Sequence, residues 1–235
     1  METEAVVLSG GRGKRMGGDV PKQYMELEGY PLIYYTLKAF EKSFIEGVVL
    51  VCAAGDEEYC KKDIVERYGF KKVKAIVCGG AERYHSVMSG LKKCEAEYVF
   101  IHDGARIFPD EEMLNRLYAD VRACGACVAA VPVKDTIKLA DENGFVEDTP
   151  DRSRLWQVQT PQVFERELIT DCYEKLIAKE EELKAAGVNI TDDAMAVELF
   201  GNRKVKLTYG SYDNIKITTP DDLAVATEII NAGKI

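Results

Sequence analysis

The chain has 235 residues, enough for one domain with a large core. Its 46% hydrophobic and 30% charged content is ordinary for a soluble globular protein. No apolar run approaches a membrane span, and the start METEAVV lacks a signal peptide's basic end and long apolar core, so a cytoplasmic protein with no membrane partner is expected. A net charge of −9 without a long basic run argues against nucleic acid as a partner. An anionic substrate would have to meet cations focused in one place.

In chain order, the apolar run at 5–8 predicts a buried parallel strand. It breaks into Ser9-Gly10-Gly11-Arg12-Gly13, with Lys14, Arg15 and Lys22 beyond. A short strand is expected at 25–27. Pro31 opens a helix to 43 with Leu32, Ile33, Leu37 and Phe40 apolar. Strands at 48–53, 73–78, 98–102 and 126–131 alternate with helices at 57–68, 82–94 and 110–124. This predicts an α/β fold with a doubly wound, mainly parallel, Rossmann-like sheet. Ligands of such sheets bind beyond the carboxyl ends of the strands, where Ser9 to Gly13 and Asp103 both fall.

The pattern then changes. Residues 133–139 and 145–147 alternate around Asp141-Glu142-Asn143-Gly144, a strong hairpin signal. The run to Trp156 is polar. A hairpin with so little core predicts a protruding arm at about 133–156 that lies in solvent or packs on another subunit. Residues 157–162 lead into a long helix at 165–186. A shorter helix at 192–200 follows, with Thr191 as its cap. Strands are expected at 204–209 and 214–218. A closing helix at 220–231 is entered by Thr219 and Pro220. With no repeat or linker, residues 1–235 are expected to form one domain.

The glycine loop fits neither common phosphate fingerprint. G-x-G-x-x-G from Gly11 fails at Met16, and the Walker pattern fails because Arg15 follows Gly13-Lys14. What remains is a nest of amides at Ser9, Gly10, Gly11 and Gly13 with the cations Arg15 and Lys22. That set suits a nucleoside triphosphate attacked at its α-phosphorus. The plainer alternative is a turn with solvated cations. The second glycine turn, Gly79-Gly80, is either a simple strand-to-helix turn or a place where backbone groups read a base edge. Asp103 is either a cap or a hard oxygen ligand for Mg²⁺ or another divalent cation. His102 is read as structural. Asp192 and Asp193 open a helix, where acids complement the dipole. Lys216 reads as exposed in a strand, and Arg152 as solvated on the arm. The cysteines number seven and are scattered. Cys124 and Cys127 lack the second ligand pair a zinc site needs.

The stretch G-G-x-G-x-R-M…P-K-Q-Y resembles the signature of sugar- and polyol-phosphate cytidylyltransferases. The likeness is greatest to the 2-C-methyl-D-erythritol 4-phosphate cytidylyltransferase family. Further matches are G-G-x-x-R-x-x-S from Gly79, H-D-x-A-R from His102 and V-P-V-x-D-T-I-K from Val131. D-R-x-x-L-W-x-x-Q-T-P-Q-x-F from Asp151, T-D-[DE]-A from Thr191 and N-[IL]-K-[IV]-T-x-P-[ED]-D-L from Asn214 also fit, so the resemblance spans nearly the whole chain. It implies transfer of CMP from CTP to methylerythritol phosphate, with pyrophosphate released. Arg15, Lys22 and Lys216 would be the catalytic cations. The glycine nest with Gly80, Ala81, Ser86 and Asp103 would bind CTP, Asp103 through Mg²⁺, while Arg83 fixes the loop. Arg106, Thr136, Arg152 and Thr160 would hold the acceptor, across a homodimer interface made by the arm. Ala81 stands where many relatives carry an acid, Gly104 where alanine is usual and Ile107 where proline is usual. A ribitol 5-phosphate cytidylyltransferase would share the loop, the arm and Q-T-P-Q. The D-D-A-M-A-V-E run and the D-T-I-K and L-W segments favour methylerythritol. A non-catalytic CTP-binding protein would release no pyrophosphate, and a dinucleotide oxidoreductase fails at Met16.

Overall fold

The computed structural model describes residues 1–11 and 21–233. The expectations placed on Gly13 and Arg15 lie outside the described residues. In chain order the elements begin with β1 (Thr3–Ser9), the small pair β2 (Glu26–Leu27) and β3 (Tyr30–Pro31), α1 (Leu32–Lys42) and β4 (Gly47–Cys52). Next come α2 (Glu57–Tyr59), continued as a π-helical stretch over Cys60–Glu66, then β5 (Val73–Cys78), α3 (Arg83–Leu91) and β6 (Tyr98–Asp103). They are followed by α4 (Glu111–Cys124), β7 (Ala126–Pro132), β8 (Leu139–Ala140), β9 (Val146–Asp148) and β10 (Trp156–Glu165). The last are α5 (Arg166–Ala178), α6 (Glu180–Ala185), α7 (Asp193–Phe200), β11 (Lys206–Tyr209) and α8 (Pro220–Asn231).

Seven strands form one sheet in the order β11-β7-β10-β6-β1-β4-β5. Pairing is parallel except at β10, which runs antiparallel to both β6 and β7. The near-continuous apolar strands are those of a sheet covered on both faces. Alternation sends Ala5 and Val7 to one face, where Ile33, Leu37 and Phe40 of α1 and Leu114 and Leu117 of α4 cover them. Val6, Val49 and Val99 face the other way, under Val87 of α3, Ile169 and Tyr173 of α5 and Val197 of α7. A third cluster joins Leu32, Tyr35 and Ile217 to Ala226 and Ile229 of α8. The doubly wound expectation therefore describes the fold.

Four local expectations need correction. Residues 157–162 do not simply lead into a helix, because they belong to the ten-residue strand β10 at the middle of the sheet. Gln159, Thr160 and Gln162 in it are buried and bonded: Gln162 Nε2 donates to Asp192 Oδ2 at 3.0 Å, and Gln162 Oε1 accepts from Ala194 N at 2.8 Å. Pro161 has no N–H for the ladder, and the register with β7 breaks between Val158 and Gln162. The helix expected at 165–186 is two helices meeting at Lys179. The turn aims Glu180 at α3, where its carboxylate accepts from Tyr84 Oη at 2.7 Å. Residues 214–218 form no ladder strand; Ile217 N donates to Ala105 O at 2.9 Å. Finally, α7 is capped by Asp192, which accepts from Met195 N, rather than by Thr191. Thr219 caps α8 with Pro220 at its first turn, as expected, and Asp222 completes a capping box the expectation did not include. The arm region, about 133–156, carries the β8–β9 pair, with Leu139, Phe145 and Val146 exposed. No described helix is long and apolar enough to cross a membrane.

Candidate active site

A cavity of about 460 Å³ opens beyond the carboxyl ends of β1, β5 and β6. Parallel register sets Leu8 beside Asp103, Ser9 beside Cys52 and Cys52 beside Cys78, so the ends of β1, β6, β4 and β5 arrive at one level. Ser9, Gly10 and Gly11 line it together with Gly80, Ala81 and Ser86. Its charged side chains are Lys22, Glu82, Arg83, Asp103 and Lys216. Gly104 is closely packed: a Cβ there would lie 2.8 Å from Ile33 Cδ1 and 2.9 Å from Leu8 O. Its own N–H donates to Leu8 O at 2.8 Å. A side chain would push the turn away from β1, so this glycine lets the turn after Asp103 pack close.

Asp103 is the electrostatic centre. Its Oδ2 accepts from Lys216 Nζ at 2.7 Å, and its Oδ1 lies 3.4 Å from Arg83 Nη2. Burial alone would raise its pKa, but the Arg83 and Lys216 cations outweigh burial and hold the carboxyl well below the usual range. Arg83 is itself clamped by a second acid. Its Nη1 and Nη2 donate to Asp193 Oδ1 and Oδ2 at 2.6 and 2.7 Å. Tyr173 Oη adds a 2.5 Å bond to Asp193 Oδ1. Lys22 Nζ donates to Ile217 O at 2.6 Å, tying the glycine-loop side of the cavity to the segment carrying Lys216.

Behind Asp103 runs a fixed chain of hydrogen bonds. Asp103 N donates to Thr160 Oγ1 at 3.1 Å, and Thr160 Oγ1 lies 3.2 Å from His102 Nδ1. His102 Nε2 is 2.8 Å from Arg106 O. A carbonyl only accepts, so Nε2 carries the proton and Nδ1 accepts from the Thr160 hydroxyl. Burial pushes the His102 pKa down to about 4, keeping the ring neutral.

Nine of the predicted residues thus line one cavity: Ser9, Gly10, Gly11, Lys22, Gly80, Ala81, Ser86, Asp103 and Lys216. The Ser86 hydroxyl accepts from Gly80 N at 3.1 Å and holds the loop shape. Four others are not in that lining. Thr160 is buried and its hydroxyl is engaged as described. Arg106 donates to Asn214 O at 2.8 Å, and burial lowers its pKa. Thr136 and Arg152 sit exposed on the arm, with Arg152 Nη1 donating to Lys134 O. Sequence reasoning gave Asp193 only a helix-dipole role. The signal available was Arg83, a charge entering a buried helix start that required a partner.

No group of three or more His, Cys, Asp or Glu side chains suited to a metal occurs among the described residues. Mg²⁺ nevertheless binds through one or two carboxylates plus phosphate oxygens and water. The ionised Asp103, 14% exposed at the cavity, fits that requirement.

Residues 3–232 match the family model described as 2-C-methyl-D-erythritol 4-phosphate cytidylyltransferase. A protein of that name from Lachnospira eligens is 47% identical, over 94% of this chain and 96% of its own. One from Alkaliphilus oremlandii is 46% identical, over 97% and 95%. The crystal structure of 4-diphosphocytidyl-2C-methyl-D-erythritol synthase from Anaerococcus prevotii superposes with a TM-score of 0.83 at 33% identity, covering 98% of this chain and 96% of that one. The cytidylyltransferase structure from Thermus thermophilus gives 0.73 at 27% identity, covering 98% and 100%.

Proposed function

The chain belongs to the 2-C-methyl-D-erythritol 4-phosphate cytidylyltransferase family, and we propose that the cavity beyond β1, β5 and β6 is where it turns CTP and methylerythritol phosphate into CDP-methylerythritol and pyrophosphate. The enzyme is a nucleotidyltransferase of isoprenoid precursor synthesis. The observation carrying the assignment to this cavity is the convergence of an amide nest, the cations Lys22, Lys216 and Arg83, and the ionised Asp103 carboxylate on a single space.

A phosphate oxygen of the acceptor attacks the α-phosphorus in line. The new P–O bond forms as the bond to the β-phosphate oxygen breaks, and pyrophosphate leaves. The Ser9–Gly11 and Gly80–Ala81 backbones cradle the nucleotide, and Ser86 supports it. Lys216 exchanges Asp103 for phosphate oxygens when CTP enters. Lys216 and Lys22, with Arg15, stabilise charge that grows in the transition state. Asp103 would hold Mg²⁺, which when bound would neutralise phosphate oxygens and polarise phosphorus. No general base takes part, and the neutral, buried His102 is consistent with that.

The acceptor residues follow a different logic. Arg106 and Thr160 stand behind Asp103, while Thr136 and Arg152 extend on the arm. The arm also exposes Phe145 and Val146, at 72% and 62%. Apolar groups so displayed favour a homodimer in which each arm brings Thr136 and Arg152 to the partner's cavity. Release of pyrophosphate from CTP and Mg²⁺ tests the assignment, with methylerythritol 4-phosphate compared against ribitol 5-phosphate. Strong preference for the first is expected. Preference for ribitol phosphate would move the chain to polyol activation, and release with neither would overturn the reaction.

A further inference from the structure

We propose that Asp193 is a positioning residue for the metal-binding carboxylate: it holds the Arg83 guanidinium off Asp103 and so keeps an Asp103 oxygen available to a divalent cation. The inference rests on the assignment of Mg²⁺ to Asp103.

The geometry is unequal on the two sides of Arg83. Asp193 takes both terminal nitrogens, at 2.6 and 2.7 Å, whereas Asp103 meets one of them at 3.4 Å. A guanidinium between two carboxylates settles on the one offering the bidentate fork. Asp193 is fixed to offer it. It is fully buried and opens α7 immediately after the Asp192 cap. Tyr173 Oη bonds its Oδ1, and Gln162 Oε1 takes the N–H of the next residue, Ala194. Lys216 already occupies Asp103 Oδ2 at 2.7 Å. If Arg83 closed on Oδ1 as well, both oxygens would be held by cations, and an incoming metal would have to displace two of them. Asp193 thus acts on the metal through Arg83, as partners of a ligand commonly act.

The consequence has a signature that a packing defect lacks. Asp193→Asn removes one negative charge beside Arg83 while keeping the side chain's size. The site becomes more positive, so metal affinity falls while affinity for metal-free CTP holds or rises. A loosened fold would weaken both. The experiment compares Mn²⁺ binding to the CTP complex, read by electron paramagnetic resonance, with calorimetric binding of CTP in EDTA. The proteins are wild type, D193N, the double variant R83Q/D193N, Y173F and D103N. In D193N, Mn²⁺ binding is expected to weaken by roughly tenfold to a hundredfold, with CTP binding in EDTA undiminished. R83Q/D193N recovers most of the Mn²⁺ affinity, because nothing remains to close on Asp103. Y173F, which keeps both charges, shifts Mn²⁺ binding in the same direction by less. Unchanged Mn²⁺ binding in D193N, or equal loss of Mn²⁺ and CTP without recovery in the double variant, overturns the proposal. Retained Mn²⁺ binding in D103N would instead overturn the assignment of the metal to Asp103, and the inference with it.

Discussion

The cavity and the arm use the same residue types with opposite results. At the cavity, Arg83 is clamped by a buried aspartate and Asp103 is ionised between two cations, while behind them Thr160 is bonded on both sides of its hydroxyl. On the arm, Thr136, Arg152 and their neighbours are exposed, and Arg152 reaches back to a backbone carbonyl. The sheet supplies the difference. Strands buried on both faces deliver their last residues at fixed heights, whereas a two-stranded ribbon without a core has little to hold its side chains. On the proposed function, the nucleotide side is therefore preorganised within one chain. The arm residues proposed for the acceptor would take final form only when something packs on them.

Four outcomes would sharpen or break this contrast. The largest effect belongs to the preorganised half. K216A should lower kcat about a hundred- to a thousandfold, or ~3–4 kcal/mol of transition-state stabilisation, with circular dichroism unchanged. A loss below tenfold would remove Lys216 from the reacting phosphates. Next is pH. The folded-state pKa of His102 lies near 4, below its ordinary 6.5, so the unfolded chain takes up the extra proton between these values. Stability should then fall as pH drops from 6.5 towards 4, by on the order of 2–3 kcal/mol. Urea midpoints at pH 7 and 5 measure this, and H102Q should lose that part of the slope. Smaller is the arm: R152A should raise the acceptor KM about tenfold to a hundredfold, the worth of a charged hydrogen bond, while the KM for CTP stays put. Equal change in both would place Arg152 in the nucleotide half. The smallest is Gly104→Ala, expected to cost about 1 kcal/mol or somewhat more from overpacking against Ile33 and Leu8. Thermal unfolding would read it, and no loss would show that the turn yields.

The legible parts of the sequence were those where local chemistry and burial agree. The run 5–8 is apolar because β1 is covered on both faces, and Asp103 stood out because it ends such a run. The hairpin was visible through Asn143-Gly144. β10 was hidden because Gln157, Gln159, Gln162 and Pro161 look like a loop. Gln159 and Gln162 are buried, and their amides bond across to Ser211 O and to the start of α7. Asp193 was hidden for a related reason. An acid at a helix start is fully accounted for by the dipole until its partner 110 residues away is seen. Sequence also places Thr136, Arg152 and Lys216 in separate motifs without saying which chain brings them together.

That question has a direct measurement. K216A and R152A subunits can be mixed under exchange conditions and assayed at low acceptor concentration. If the arm completes the partner's cavity, each mixed dimer has one site with both lesions and one with neither. With random pairing, activity should then rise to about a quarter of wild type. Activity no higher than the average of the two variants alone would place Arg152 in its own chain's site and contradict the shared cavity.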